Sequence, residues 1–290
     1  MRLRQVSRGL GVAITVLLVL LIIPALTLFW TALVSYTGYV ATWVDRAEHA
    51  RLDRVQVSML ARESVLHVVF LGLTPLGWFR VPLVHTPAPP GRKPHHRPVL
   101  LVCDYGLNPL SFVFLTTFLR HRGFEWVWPV PTRSGKLAIR AEKLRQCIAH
   151  ACQTTGSAQV DVIGHGAGGL VAAWATKDPA CAAQVRQLIT LGTPFKGTRM
   201  AAFAWEPLGR ELLYNHPTLS ALTPLQVPTL CVWSPDDPRV VPASSAAVAH
   251  SEAVRMDGLG HFDFLASGKV FHTLYRALQR PIEPSDHASP

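Results

Sequence analysis

The stretch Asp161-Val162-Ile163-Gly164-His165-Gly166-Ala167-Gly168-Gly169 decides the fold. Val160 to Ile163 is a short apolar run suited to a buried strand, and Leu170-Val171-Ala172-Ala173-Trp174 continues as a helix. The glycines between them let the backbone turn sharply and approach its neighbours closely. Gly166 stands at the centre of that turn, and it carries no side chain.

Outward from this turn, strand patterns alternate with helical ones. Val99 to Val102 is a strand, Phe112 to Arg122 a helix, Glu125 to Val130 a strand and Leu137 to Cys152 an amphipathic helix. Val185 to Leu191, Thr229 to Trp233 and Ala253 to Met256 read as further strands, and Phe271 to Gln279 as a closing helix. Such alternation predicts a mostly parallel sheet with helices on both faces.

The N-terminal part is different. No charged residue occurs from Gly9 to Val44, a run that includes VLLVLLIIPALTLFW. It exceeds the ~7–15 apolar residues of a cleavable signal and reaches the ~20 that a bilayer requires. Residues 1–44 are therefore expected to form a basic tip and a single transmembrane anchor. Arg2, Arg4 and Arg8 keep the tip cytoplasmic and place the globular part on the extracytoplasmic side. Residues 45–97 follow as a membrane-proximal segment. Within it, Asp45 to Glu63 reads as a charged amphipathic helix and Ser64 to Val84 as an apolar stretch. The latter suits interfacial or core packing better than a second span, since it carries His67, Pro75, Gly77 and Arg80. HTPAPPGRKPHHRP (His85 to Pro98) is a stiff linker, and its His95 and His96 read as solvated. Residues 98–280 form the globular domain and 281–290 a disordered tail.

Net charge is +10 and mean hydropathy +0.23. The cations are scattered and no nucleic-acid recognition motif appears, so the expected partner is anionic lipid rather than nucleic acid. Cys103, Cys147, Cys152, Cys181 and Cys231 show no C-x-x-C pair and no zinc spacing. No metal and no cofactor is expected.

Two later loops carry candidate chemistry. WSPDDPRVVP (Trp233 to Pro242) sets acids after a buried strand, and Gly258-Leu259-Gly260-His261-Phe262 sets a histidine after the last one. From about Pro98 to Gln279 the chain resembles a bacterial lipase or esterase of the α/β-hydrolase superfamily. The resemblance rests on TGSAQVDVIGHGAGGL, LITLGTPFKGT, the acid loop and the LGH loop. It implies an α/β-hydrolase fold and a triad in chain order nucleophile, acid, histidine, with the nucleophile raised on a G-x-S-x-G elbow. On these positions Gly166 takes the nucleophile's place, Asp237 (by S-x-x-D-x-x-V spacing) or Asp236 the acid's, and His261 the base's. His165 reads as packing beside the turn. The oxyanion-hole region falls on Cys103, Asp104 and Ala167, where the family has His-Gly for Cys103-Asp104. Gly106 offers an alternative glycine through a shifted loop.

Glycine cannot attack a carbonyl. The leading expectation is therefore a membrane-anchored, lipase-like pseudoenzyme that binds a lipid, an acyl or ester ligand, or a protein partner. The segment Trp205 to Leu222 is a candidate cap over its pocket. The alternative keeps an active hydrolase or lyase in which His261 and Asp237 act as general base without a covalent step. Ser111, Ser134 and Ser157 are candidate hydroxyls by residue type alone. Gly166→Ser is expected to restore esterase activity if the rest of the site is intact; otherwise Cys103→His and Asp104→Gly are needed as well.

Overall fold

The computed structural model describes residues 2–45, 54–73, 82–131, 135–204, 207–249 and 251–281. Two long helices come first, α1 (Arg2–Asp45) and α2 (Arg54–Gly72). The core then runs β1 (Val99–Val102), α3 (Val113–His121), β2 (Val127–Val130), α4 (Leu137–Thr155), β3 (Val160–His165), α5 (Ala167–Ala175), α6 (Pro179–Ala183) and β4 (Val185–Leu191). Short helices α7 (Pro207–Glu211) and α8 (Pro217–Ser220) precede β5 (Thr229–Trp233), β6 (Glu252–Arg255) and α9 (Gly268–Gln279). The strands make one parallel sheet in the order β2-β1-β3-β4-β5-β6.

Alternation along the strands divides the core in two. Leu100, Val102, Val160, Val162 and Leu188 face α4 and α5. Val99, Leu101, Ile163, Ile189 and Leu191 face α3 and α9. β1 and β3 are buried along their whole length, as inner strands of a sheet covered on both faces must be. Their C-terminal ends therefore converge at one edge, and the elbow, the acid loop and the histidine loop all leave from it.

Several boundaries differ from the sequence reading. α2 runs straight across the Glu63–Ser64 junction, because hydropathy changes there while the backbone does not. Residues 46–53 and 74–81, with Pro75, Gly77 and Arg80, lie outside the described residues, as do Ser134 and all of the tail except Pro281. The 85–98 segment is not a free linker. Thr86 N donates to Glu125 O (2.9 Å), His95 bridges to Phe124, and the exposed His96 ring meets Glu125 at 2.6 Å. All five cysteines are buried, and none is in a disulfide.

Residues 22–45 of α1 and the whole of α2 are each long and apolar enough to cross a membrane. Both also touch the globular core. Thr31, Val34, Ser35 and Thr42 are buried along one face of α1. A Cβ at Gly38, on that face, would lie 1.7 Å from Pro238 O, so helix and acid loop meet there at backbone distance.

Candidate functional site

The elbow forms because its glycines have no room for anything larger. A Cβ at Gly168 would lie 2.1 Å from Val102 O, which lets α5 press against the end of β1. Gly166 has φ +52° and ψ −124°, a region that side-chain-bearing residues enter only under strain. Gly166 N donates to Leu191 O (2.9 Å), and Thr193 Oγ1 donates to Gly166 O (2.9 Å).

The place above Gly166 is filled by Asp104, from the loop after β1. A Cβ at Gly166 would lie 2.2 Å from both Asp104 Cγ and Oδ1. Asp104 Oδ1 accepts from Ala167 N at 2.6 Å, and Oδ2 lies 3.0 Å from His261 Nε2. Gly166 offers α5 no side-chain cap; the Asp104 carboxylate, 62 positions earlier, supplies it. A carboxylate is at home there, since a helix N-terminus carries unsatisfied N–H groups and partial positive charge.

His261 completes a line of three. Its Nδ1 lies 2.7 Å from Asp237 Oδ2, and both side chains are almost wholly buried. Asp237 is fixed in turn, its Oδ1 accepting from Arg239 N (2.8 Å) and Val240 N (3.2 Å). Of the two acids offered by the sequence, Asp237 therefore faces the histidine, while Asp236 Oδ2 accepts from Gly258 N (2.7 Å). Burial opposes charge on His261, but the Asp237 and Asp104 carboxylates outweigh it and raise its pKa to about 10. Burial likewise pushes Asp104 up, yet His261 and the Ala167 N–H prevail and hold it below the usual carboxylate range.

His165 packs beside the turn with no exposed surface, its ring 4.4 Å from that of His261. Its Nε2 bonds to His261 O (2.9 Å), and burial lowers its pKa to about 4. Cys103 is buried with its Sγ 3.5 Å from Leu107 O, and so is not an oxyanion donor by side chain. Gly106 has φ +73° and open space about it, and it is the Asp104 carboxylate that meets the Ala167 N–H. The Ser111 and Ser157 hydroxyls donate to the nearby carbonyls of Asn108 and Gln159.

Sequence reading missed the braces from α2. Glu63, fully buried, accepts from Phe262 N (2.8 Å) and from Arg239 Nε (3.3 Å), linking the histidine loop to the acid loop. Arg239 Nη2 also meets His67 Nδ1 (2.8 Å), and Arg62 pairs with Asp263 (3.1 Å). The available signal was a lone acid, Glu63, beside an apolar stretch; its partners lie more than 170 residues away.

A cavity of about 110 Å³ opens over Asp104 and His261. Its walls include Tyr105, Met200 and Leu212, and Val34 from α1. Leu212 reaches it from the expected cap segment and, like Leu208 and Leu219, also belongs to the core. Trp205 of that segment is outside the described residues.

A parallel sheet with an elbow after β3, an acid after β5 and a histidine after β6 is one arrangement of known kind. The chain has the α/β-hydrolase fold. Residues 132–206 match the model of a PGAP1-like alpha/beta domain. Among solved structures, mature Bacillus licheniformis lipase BlEst2 superposes with a TM-score of 0.57 at 13% identity, over 67% of this chain and 96% of that one. Aspergillus fumigatus lipase B superposes with a TM-score of 0.54 at 20% identity, over 67% of this chain and 55% of that one. The chain thus spans just over half the length of the Aspergillus lipase. No curated protein matches it in sequence. At these identities the likeness is one of fold.

Proposed function

We propose that this is a membrane-anchored, lipase-like protein whose serine-hydrolase route is closed and whose site binds a ligand instead. One observation carries the reading: the Asp104 carboxylate sits on the Ala167 N–H and against His261 Nε2, above a glycine. An acyl transfer needs a nucleophile at that point, a free N–H for the developing oxyanion and a free histidine nitrogen for the proton. Asp104 engages both the N–H and the nitrogen. Its own charge also opposes the negative charge that a tetrahedral intermediate must develop.

Cavity size narrows the ligand. At about 110 Å³ it is well below the 300–1,000 Å³ of a drug-sized site. A short acyl end or a small polar fragment of a lipid fits; a full-length acyl chain requires Val34 and α1 to move. α1 itself supports a membrane setting, since its exposed residues 22–33 include Ile22, Ile23, Leu26, Phe29 and Trp30. The Arg-rich tip favours a cytoplasmic N-terminus and an extracytoplasmic domain.

The test is hydrolysis of p-nitrophenyl butyrate by the full chain in detergent with EDTA, together with labelling by a fluorophosphonate. Neither turnover above background nor labelling is expected. Turnover that vanishes in His261→Ala would instead establish the reading in which His261 and Asp237 act as general base.

A further inference from the structure

We infer that Asp104, His165 and His261 form a binding site for one divalent transition-metal ion, zinc being the best match in ligand type. Each of the three offers one donor atom, and these atoms all lie within 4.8 Å of one another. Nothing in the sequence spacing signals the set, because its members are 61 and 96 positions apart. Only the convergence of β1, β3 and the loop after β6 brings them together.

Three features point to a cation. First, His165 has a buried ring nitrogen, Nδ1, with no hydrogen-bond partner among the described residues. A fully buried polar atom without a partner is costly, and a native structure satisfies nearly all of them. With Nε2–H donating to the His261 carbonyl, Nδ1 bears the lone pair. Second, both histidines are held as metal ligands usually are, with the other ring nitrogen on a carbonyl (His165) or a carboxylate (Asp237 for His261). Third, two carboxylates, Asp104 and Asp237, flank His261 from opposite ring nitrogens. A divalent ion held by His261 Nε2 and Asp104 Oδ2 would take the place of the proton those two atoms share. The neighbouring Arg239 guanidinium does not fill it, being paired with Glu63 and His67.

Geometry agrees. Donor atoms on one tetrahedral zinc stand about 3.3 Å apart, for bonds of ~2.0–2.1 Å. The His261–Asp104 pair, at 3.0 Å, is already near that spacing. The His165 donor lies within 4.8 Å of the other two, so the three must draw in by up to about 1.5 Å to share one ion. Two histidines and one carboxylate leave a fourth position, as in open zinc sites, and Asp104 and His261 both line the cavity. An anionic head, such as a carboxylate or phosphate, is the ligand chemistry such a position takes.

The experiment uses the full chain in detergent, stripped with EDTA and dialysed, then titrated with Co²⁺ and with Zn²⁺. One equivalent is expected to bind, with the intense visible bands of tetrahedral Co²⁺, and Zn²⁺ is expected to displace it. Asp104→Asn and His165→Ala are expected to weaken binding by on the order of 100-fold or more, and Asp237→Asn by roughly 10–100-fold. A His95→Ala/His96→Ala variant, altering only surface histidines, should bind as the parent does. Stoichiometric binding that survives in Asp104→Asn, or that is lost in the His95/His96 variant, would overturn the proposal, as would no binding by a folded parent. Should His165→Ala fail to fold, the near-isosteric Asp104→Asn decides. The outcome is separate from the esterase reading above, because that assay is run in EDTA and this one reads a spectrum.

Discussion

Gly166→Ser alone should not produce a serine hydrolase. The new Cβ would lie 2.2 Å from Asp104 Cγ and Oδ1 and 2.7 Å from Oδ2, so one of the two side chains must leave. If Asp104 moves, it forfeits its bonds to Ala167 N and to His261 Nε2, each a charge-assisted contact of about 1.5–3 kcal/mol. Backbone strain for a residue with a side chain at φ +52° adds about 1–3 kcal/mol. The total is roughly 4–9 kcal/mol, comparable to the whole stability of many domains at ~5–15 kcal/mol. Thermal denaturation should show a midpoint lower by roughly 10 °C or more. Fluorophosphonate labelling of residue 166 should stay at background. Asp104→Gly/Gly166→Ser removes the overlap, keeps only the strain and frees Ala167 N. That double variant should label and hydrolyse p-nitrophenyl butyrate. Its rate should be about 100–1,000-fold below that of a complete site, the usual cost of a missing oxyanion donor. A single Gly166→Ser variant that labels as readily as the double one, with an unchanged midpoint, would refute the overlap argument.

Three further outcomes follow from the same contacts. In EDTA-treated protein the folded-state pKa of His261, raised from 6.5 to about 10, adds stability that is complete below pH 6.5 and lost as pH climbs towards 10; urea midpoints between pH 6.5 and 10 should fall, and fall less in Asp104→Asn. Arg186→Met removes the 2.7 Å partner of buried Asp161 and leaves it Arg97 at 3.8 Å, which should cost about 3 kcal/mol by urea denaturation. Gly38→Ala forces a methyl to within 1.7 Å of Pro238 O, so α1 must lift from the acid loop; disulfide capture between Val34→Cys and Met200→Cys, which now pack together, should drop sharply.

Most of the fold was legible because the strands expected at Val99 to Val102, Val185 to Leu191 and Thr229 to Trp233 coincide with β1, β4 and β5. β1 is wholly apolar, as an inner strand of a covered sheet tends to be, whereas β4 keeps its place with Arg186, Gln187 and Thr190 in it. The order of Gly166, Asp237 and His261 was legible too, because the loops that bear them are fixed by strand ends. What stayed hidden was complementarity across the chain. Gly166 and Asp104 read as two separate departures from the lipase pattern, whereas in space one fills the room the other leaves. His165 read as mere packing, since only its partner's direction shows that one nitrogen is used and the other is not. Backbone pairing of 85–98 and the reach of Glu63 to Phe262 are hydrogen bonds to distant residues, for which composition carries no signal.

The same edge of the sheet that gathers the site also receives α1, so this helix forms part of the cavity wall. Val34 is a wall of the cavity and packs with Met200 and Val241; one turn on, Gly38 abuts the carbonyl of Pro238, next to Asp237; further on, Asp45 pairs with Arg199 at 2.9 Å. At about 110 Å³ the cavity is small beside the 300–1,000 Å³ of a drug-sized site, and Val34 forms part of its wall. On the proposed reading, either the ligand is small or α1 lifts from the acid loop to admit it. In the second case the acid loop stays tied through Arg239 and Glu63 to the histidine loop. Occupancy of the cavity and the seating of α1 are then one equilibrium, and any ligand that prefers one seating must shift it by its difference in affinity for the two.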